Sequence, residues 1–91
     1  MTTPNRVTAK IVNKRGLHAR ASAKFVEAAC KFQCEITVSR DGTTVSGRSI
    51  MGLMMLAGSQ GAELEIVAQG ADAEQALAAL TGLIAAGFHE D

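Results

Sequence analysis

Val7, Ala9 and Ile11 alternate with Thr8 and Lys10, a period of two that predicts a half-buried strand. Asn13 to Gly16 breaks the run, and from His18 to Phe32 the period becomes helical. Ala21, Phe25, Ala28, Ala29 and Phe32 share one apolar face, with Arg20, Lys24, Glu27 and Lys31 opposite. Cys34, Ile36 and Val38 then alternate with Glu35, Thr37 and Ser39 as a second strand. Asp41-Gly42 is a hairpin turn signal, followed by a short third strand around Thr44 to Ser46. Gly47 ends it. Ser49 is a good N-cap for a short helix from Ile50 to about Ala57. After the turn at Gly58 to Gly61, Leu64 and Ile66 mark a fourth strand. Asp72 reads as an N-cap, with Gln75 completing a capping-box pattern. Ala73, Ala76, Leu77, Leu80, Leu83 and Ile84 form the apolar face of the last helix, which Gly87 ends.

The order is β-α-β-β-α-β-α. Turn-linked short strands favour an antiparallel sheet, and three amphipathic helices in so short a chain cover only one of its faces. The expectation is a two-layer α+β domain with Thr8, Lys10, Glu35, Thr37 and Glu65 on the solvated face. The 91 residues suffice for one such domain, read as residues 1–91 with a core of about 6–88.

Composition narrows the functional classes. Nine basic residues balance nine acidic ones, which argues against a chain built to coat nucleic acid or a membrane surface. Trp and Tyr are absent, so three Phe supply all aromatic packing, and a strand face with stacking aromatics for RNA is not available. No apolar run is long enough to span a bilayer. Met1 to Arg6 is polar and leads straight into a strand, so no secretory leader is expected. Cys30 and Cys34 lack the CxxC spacing. Reduced core or half-buried thiols are the first reading, ahead of a disulfide or a metal pair, since a zinc site lacks a credible fourth ligand. The expected compartment is the cytoplasm. His89 reads as a solvated residue.

Arg15-Gly16-Leu17-His18-Ala19-Arg20 is the chemically suggestive stretch. A glycine turn delivers a histidine to the first turn of a helix, where backbone N–H groups lack intrahelical partners and the dipole favours an anion. Imidazole is largely neutral at cytosolic pH, and a neutral ring nitrogen is a competent nucleophile. Gly16, Ala19, Arg20 and Ala21 would then cradle a phosphoryl group on His18. The alternative on local sequence is a capping or surface histidine.

Gly16-Leu17-His18-Ala19-Arg20 resembles the active-site signature of HPr, the histidine-containing phosphocarrier family of the bacterial phosphotransferase system. Gly47-Arg48-Ser49-Ile50-Met51-Gly52-Leu53 resembles the segment that bears that family's regulatory serine. The two motifs stand in the family's register, and the resemblance runs from about Arg6 to Phe88. It implies an open-faced β-sandwich: four antiparallel strands with three helices on one side. It implies that enzyme I, charged by phosphoenolpyruvate, phosphorylates His18 on Nδ1, with Arg20 helping to hold and release the group. The phosphoryl group would pass to enzyme II-type or nitrogen-branch acceptor domains. The protein would be a carrier component rather than a turnover catalyst. No cofactor or metal is implied, and a monomer is expected.

Two features depart from the family pattern. Ala21 stands where many members have Pro and keeps a backbone N–H that Pro lacks. Phe88 to Asp91 shows no clear correspondence to members whose terminal carboxylate lies near the active site. The short helix after Ser49 is apolar all round. Leu53 and Leu56 are assigned to the core. Ile50, Met51 and Met54 are assigned to an exposed docking face, the alternative being that all are core. Ser49 reads as a pure N-cap or, by the resemblance, as the site of HPr kinase/phosphorylase. The competing function is a regulatory binding module of the same fold controlled at Ser49. His18 and Arg20 are both retained, which speaks against it.

Overall fold

The computed structural model describes residues 5–90; Met1 to Pro4 and Asp91 of the expected domain lie outside them. Four strands are present: β1 (Asn5–Lys10), β2 (Glu35–Arg40), β3 (Thr43–Ser46) and β4 (Glu63–Gln69). Three helices accompany them: α1 (Ala19–Ala29), α2 (Ile50–Met55) and α3 (Ala73–Ala85), with a 3₁₀ turn at Gly87–His89. The sheet order is β1-β4-β2-β3 and every pairing is antiparallel. Val38 sits opposite both Val45 and Ile66, and Val7 opposite Ile66, so the apolar positions of successive strands share one face. Phe25, Ile11, Leu53, Leu64, Ile66, Leu80, Ile84 and Phe88 fill the core between that face and the helices. Thr8, Lys10 and Glu35 are exposed on the other face, with Thr37 and Glu65 half-buried. Among the described residues no helix is long and apolar enough to cross a membrane.

The elements follow the periodicities, with instructive differences at their ends. The helical pattern runs to Phe32, but α1 stops at Ala29. Beyond it, Lys31 N–H bonds Ala28 O and Phe32 N–H bonds Ala29 O, both at 3.2 Å. These i−3 bonds tighten the last turn and keep Phe32 against the core. Similarly α2 ends at Met55, and Ala57 closes it with a left-handed φ of 53°. Asp41 (φ 50°) and Gly42 (φ 84°) form the two-residue turn between β2 and β3, the backbone that a type I′ hairpin requires.

Two expectations are corrected. The capping box at Asp72 does not form: the residue precedes α3, but its carboxylate accepts from Gln33 N–H (2.8 Å) and Cys34 N–H (2.9 Å) instead. Those amides precede β2, outside its ladder, and a carboxylate satisfies both at once. Cys30 is exposed rather than half-buried, because it follows the last turn of α1; Cys34 is buried, and both thiols are free. Phe88, which has no place in the helical pattern, is fully buried.

Candidate functional site

His18 is the N-cap residue of α1, with extended backbone (φ −73°, ψ 177°). Its carbonyl accepts the first helical bond, from Ser22 N–H at 2.9 Å. The amides of Ala19, Arg20 and Ala21 therefore have no partner within the helix. The His18 side chain makes no capping hydrogen bond, so the capping alternative does not hold.

The preceding turn is tightly built. Gly16 has φ 65°, and a Cβ on it would lie 2.2 Å from Gly58 O. Only glycine meets both conditions. Gly16 N–H donates to Asn13 O (3.2 Å) and Leu17 N–H to Gly58 O (2.8 Å). The Gly16 amide is thus committed to the turn and its role is to shape it. The loop that follows α2 buttresses the turn that delivers His18.

The imidazole turns to a partner from the far end of the chain. His18 Nε2 is hydrogen-bonded to Glu90 Oε2. The other carboxylate oxygen, Oε1, accepts from Asn13 Nδ2 at 2.7 Å. Asn13 is buried, and the same Nδ2 donates to Gly16 O at 2.9 Å. Two acceptors on one end of the amide fix its orientation. Lys24 Nζ donates to Phe88 O at 2.7 Å and clasps the segment onto α1. The comparison with members whose terminal carboxylate lies near the active site falls on Asp91, outside the described residues; from Glu90, one residue earlier, a side-chain carboxylate reaches the histidine.

Lys14, Arg15, Arg20, Lys24, His89 and Glu90 line a recess of about 290 Å³ beside His18. Arg20 is exposed and makes no ion pair among the described residues. Cations outnumber the one carboxylate, so the recess suits a multiply charged anion. Hydrogen bonding from Asn13 holds the Glu90 carboxyl below the usual carboxylate range. The His18 hydrogen bond and the charge of Arg15 act in the same direction, against partial desolvation. Among the described residues no group of three or more His, Cys, Asp or Glu could hold a metal.

The second motif folds as a separate patch. Ser49 Oγ accepts from Gly52 N–H at 2.9 Å and caps α2. Ile50, Met51 and Met54 are exposed, Met51 by 76%, while Leu53 and Leu56 are buried. Met55 is equally exposed and extends the apolar patch beyond the residues assigned from helical angles. Arg48 turns inward. Its Nη2 lies 3.2, 2.6 and 2.9 Å from the carbonyls of Ala29, Phe32 and Cys34. The sequence reading missed Asn13, Lys24, Arg48 and Glu90. Asn13 carries a local signal, the Asn-x-x-Gly spacing of a side-chain-stabilised turn. The others act over long sequence separations and have none.

The family model for the phosphotransferase HPr component phosphorylation site matches residues 6–86. The phosphocarrier protein HPr of Neisseria meningitidis is 49% identical over 81 residues, 89% of this chain and 91% of the relative. The crystal structure of HPr from Thermoanaerobacter tengcongensis superposes with a TM-score of 0.91 at 46% identity, covering 96% of this chain and 98% of that one. An HPr dimer from the same organism matches with a TM-score of 0.76, also at 46% identity, covering 99% and 100%. The open-faced four-stranded sheet with its helices on one side is the architecture of these structures, and the chain belongs to the HPr family of phosphotransferase-system phosphocarriers.

Proposed function

We propose that His18 accepts the phosphoryl group on Nδ1 from phosphorylated enzyme I and passes it to an enzyme II-type or nitrogen-branch acceptor. The observation that carries this reading is the uncapped first turn of α1, with a histidine at its N-cap and a cationic recess alongside. The phosphoryl oxygens would be held by the amides of Ala19, Arg20 and Ala21 and by the Arg20 guanidinium. Each such charge-assisted contact contributes about 1.5–3 kcal/mol, enough to hold the group and few enough to release it. Ala21 in place of Pro supplies one of those amides. Ile50, Met51 and Met54, joined by Met55, form the docking face, and the loop that follows α2 holds the His18 turn through Gly58. Ser49, at the edge of that face, is the candidate regulatory phosphorylation site for an HPr kinase/phosphorylase. The protein acts as a cytoplasmic monomer, without a cofactor.

Incubation with enzyme I and phosphoenolpyruvate tests the reading. An acid-labile, base-stable phosphoryl group on His18 is the expected product, and His18→Ala takes up none while staying folded. Label retained by a folded His18→Ala variant would sink the assignment. Arg20→Ala slows transfer without abolishing it, and Arg20→Lys restores part of the rate, because a point charge lacks the planar fork.

A further inference from the structure

The segment after α3 is built to deliver one carboxylate. Gly87, Phe88 and His89 lie consecutively in the left-handed region, at φ 63°, 56° and 59°. Phe88 and His89 carry side chains, so this conformation is strained and persists only where the surroundings hold it. They do: the Phe88 ring is fully buried, and its carbonyl is taken by Lys24. The turn sends Glu90 back under α1. Asn13 then pins Oε1, and Oε2 is left aimed at the histidine ring.

An ionised carboxylate accepts hydrogen bonds and donates none, and the donation from Asn13 keeps this one ionised. The hydrogen between Oε2 and Nε2 therefore belongs to His18. We propose that Glu90 is a positioning residue for phosphoryl transfer: it holds a proton on Nε2 of His18, leaving the Nδ1 lone pair as the nucleophile and keeping the phosphorylated ring a good leaving group. This rests on the reading of His18 as the acceptor and adds what selects the nitrogen and sets the lability of the adduct.

In the forward step the Nδ1 lone pair attacks phosphorus of the phosphorylated donor protein. The Nδ1–P bond forms, the donor's bond to phosphorus breaks, and its electron pair returns to the donor. His18 now carries phosphorus on Nδ1 and a proton on Nε2, so the ring is cationic and faces the Glu90 carboxylate. In the onward step the acceptor's nucleophile attacks phosphorus, and the Nδ1–P electrons return to a neutral ring. The Nε2 proton stays in place throughout.

Glu90→Gln separates this role from a structural one. The glutamine Oε1 can still accept from Asn13, which turns its NH₂ toward Nε2. The ring must then accept there and carry its proton on Nδ1, which blocks the nucleophile. Nitrogen NMR of ¹⁵N-labelled unphosphorylated protein at neutral pH reads the two tautomers directly. The expected result is Nε2–H in the wild type and a shift toward Nδ1–H in Glu90→Gln. Phosphoryl uptake from enzyme I falls roughly tenfold in the variant. The high-pH limb of onward transfer moves down by about one pH unit, since the carboxylate no longer favours the protonated phosphorylated ring. Lys14, Arg15, Arg20, Lys24 and His89, the other ionisable groups of the recess, are the same in both proteins, so the difference reports Glu90. Glu90→Asp keeps the charge on a shorter arm and restores part of both effects. An unchanged tautomer and pH profile in Glu90→Gln, with His18 still labelled, would overturn this proposal and leave the acceptor assignment standing. A wild-type Nε2–H tautomer with label surviving in folded His18→Ala would overturn the acceptor assignment, and with it any part for Glu90 in transfer.

Discussion

Arg20 and Arg48 carry the same side chain and do different work, and only their surroundings tell them apart. Arg20 is exposed with no ion pair among the described residues, so its fork is available to an incoming anion. Arg48 spends one guanidinium nitrogen on carbonyls of Ala29, Phe32 and Cys34. Those carbonyls end α1 and lead into β2, and their unpaired lone pairs would otherwise be a cost. Arg48→Ala is expected to destabilise the fold by about 2 kcal/mol, a melting temperature lower by roughly 8–16 °C. Thermal denaturation checks this, and an unchanged midpoint would show that the clasp contributes nothing net. Arg48→Lys recovers only part, because one ammonium on a flexible stem cannot reproduce the fork's geometry. The sequence exposed Arg20 through its distance from His18, two residues along one helix turn. It did not expose Arg48, whose partners lie 14 to 19 positions away and are backbone atoms, which every residue possesses.

Among the elements, α2 shows most clearly what periodicity can and cannot resolve. A short apolar helix can be deep core or an exposed face. Helical angles separated Leu53 and Leu56 from Ile50, Met51 and Met54, and the burial follows that division. Met55 fell outside it because a helix of six residues offers too few turns to define the edge of a stripe. Met51→Glu should leave the melting temperature near wild type and raise the apparent KM as a substrate of enzyme I. Leu53→Glu should unfold the protein, since burying an unpaired carboxylate costs several kcal/mol against a total of about 5–15. Ser49→Asp should resemble Met51→Glu. Its charge is tolerated beside the α2 N-terminus but must be desolvated if the face is covered. A normal KM for both Ser49→Asp and Met51→Glu would remove α2 from the docking surface. The strand and helix order was legible for the same reason: each element repeats its apolar positions with its own period. Element ends were less so, because Phe32 stays on the core through i−3 turns that continue the helical pattern after the α-helix has stopped.

At the scale of the whole molecule, two carboxylates tie distant segments together. Glu90 joins the segment after α3 to the turn before α1, and Asp72 joins the start of α3 to the start of β2. Neither was legible in the sequence. Asp72 even carries a capping-box pattern that points to a local role, yet its oxygens go to Gln33 and Cys34, where two amides compete successfully for them. Those amides, chiefly that of Gln33, hold the Asp72 carboxyl below its ordinary value, against some desolvation. Burial, with Asp72 beside it, pushes the Cys34 thiol up. The pH dependence follows from the direction of the carboxyl shift. The folded state binds the Asp72 proton less readily than the unfolded chain does. Its contribution to stability is therefore complete above the ordinary aspartate value of about 3.9. It declines as pH falls through the lower, folded value. Asp72→Asn removes the charge but keeps the size and one acceptor oxygen. The variant should be less stable than wild type at pH 7, with a lower urea midpoint and an unchanged m-value. As pH falls well below the ordinary aspartate value the wild-type carboxylate itself becomes protonated, so the two midpoints should draw together. Glu90→Gln should show the same convergence, because its carboxyl is displaced in the same direction. A gap between wild type and Asp72→Asn that is as wide in that acid range as at pH 7 would mean that ionisation of Asp72 is irrelevant. The carboxylate would then serve only as a hydrogen-bond acceptor at the junction of β2 and α3.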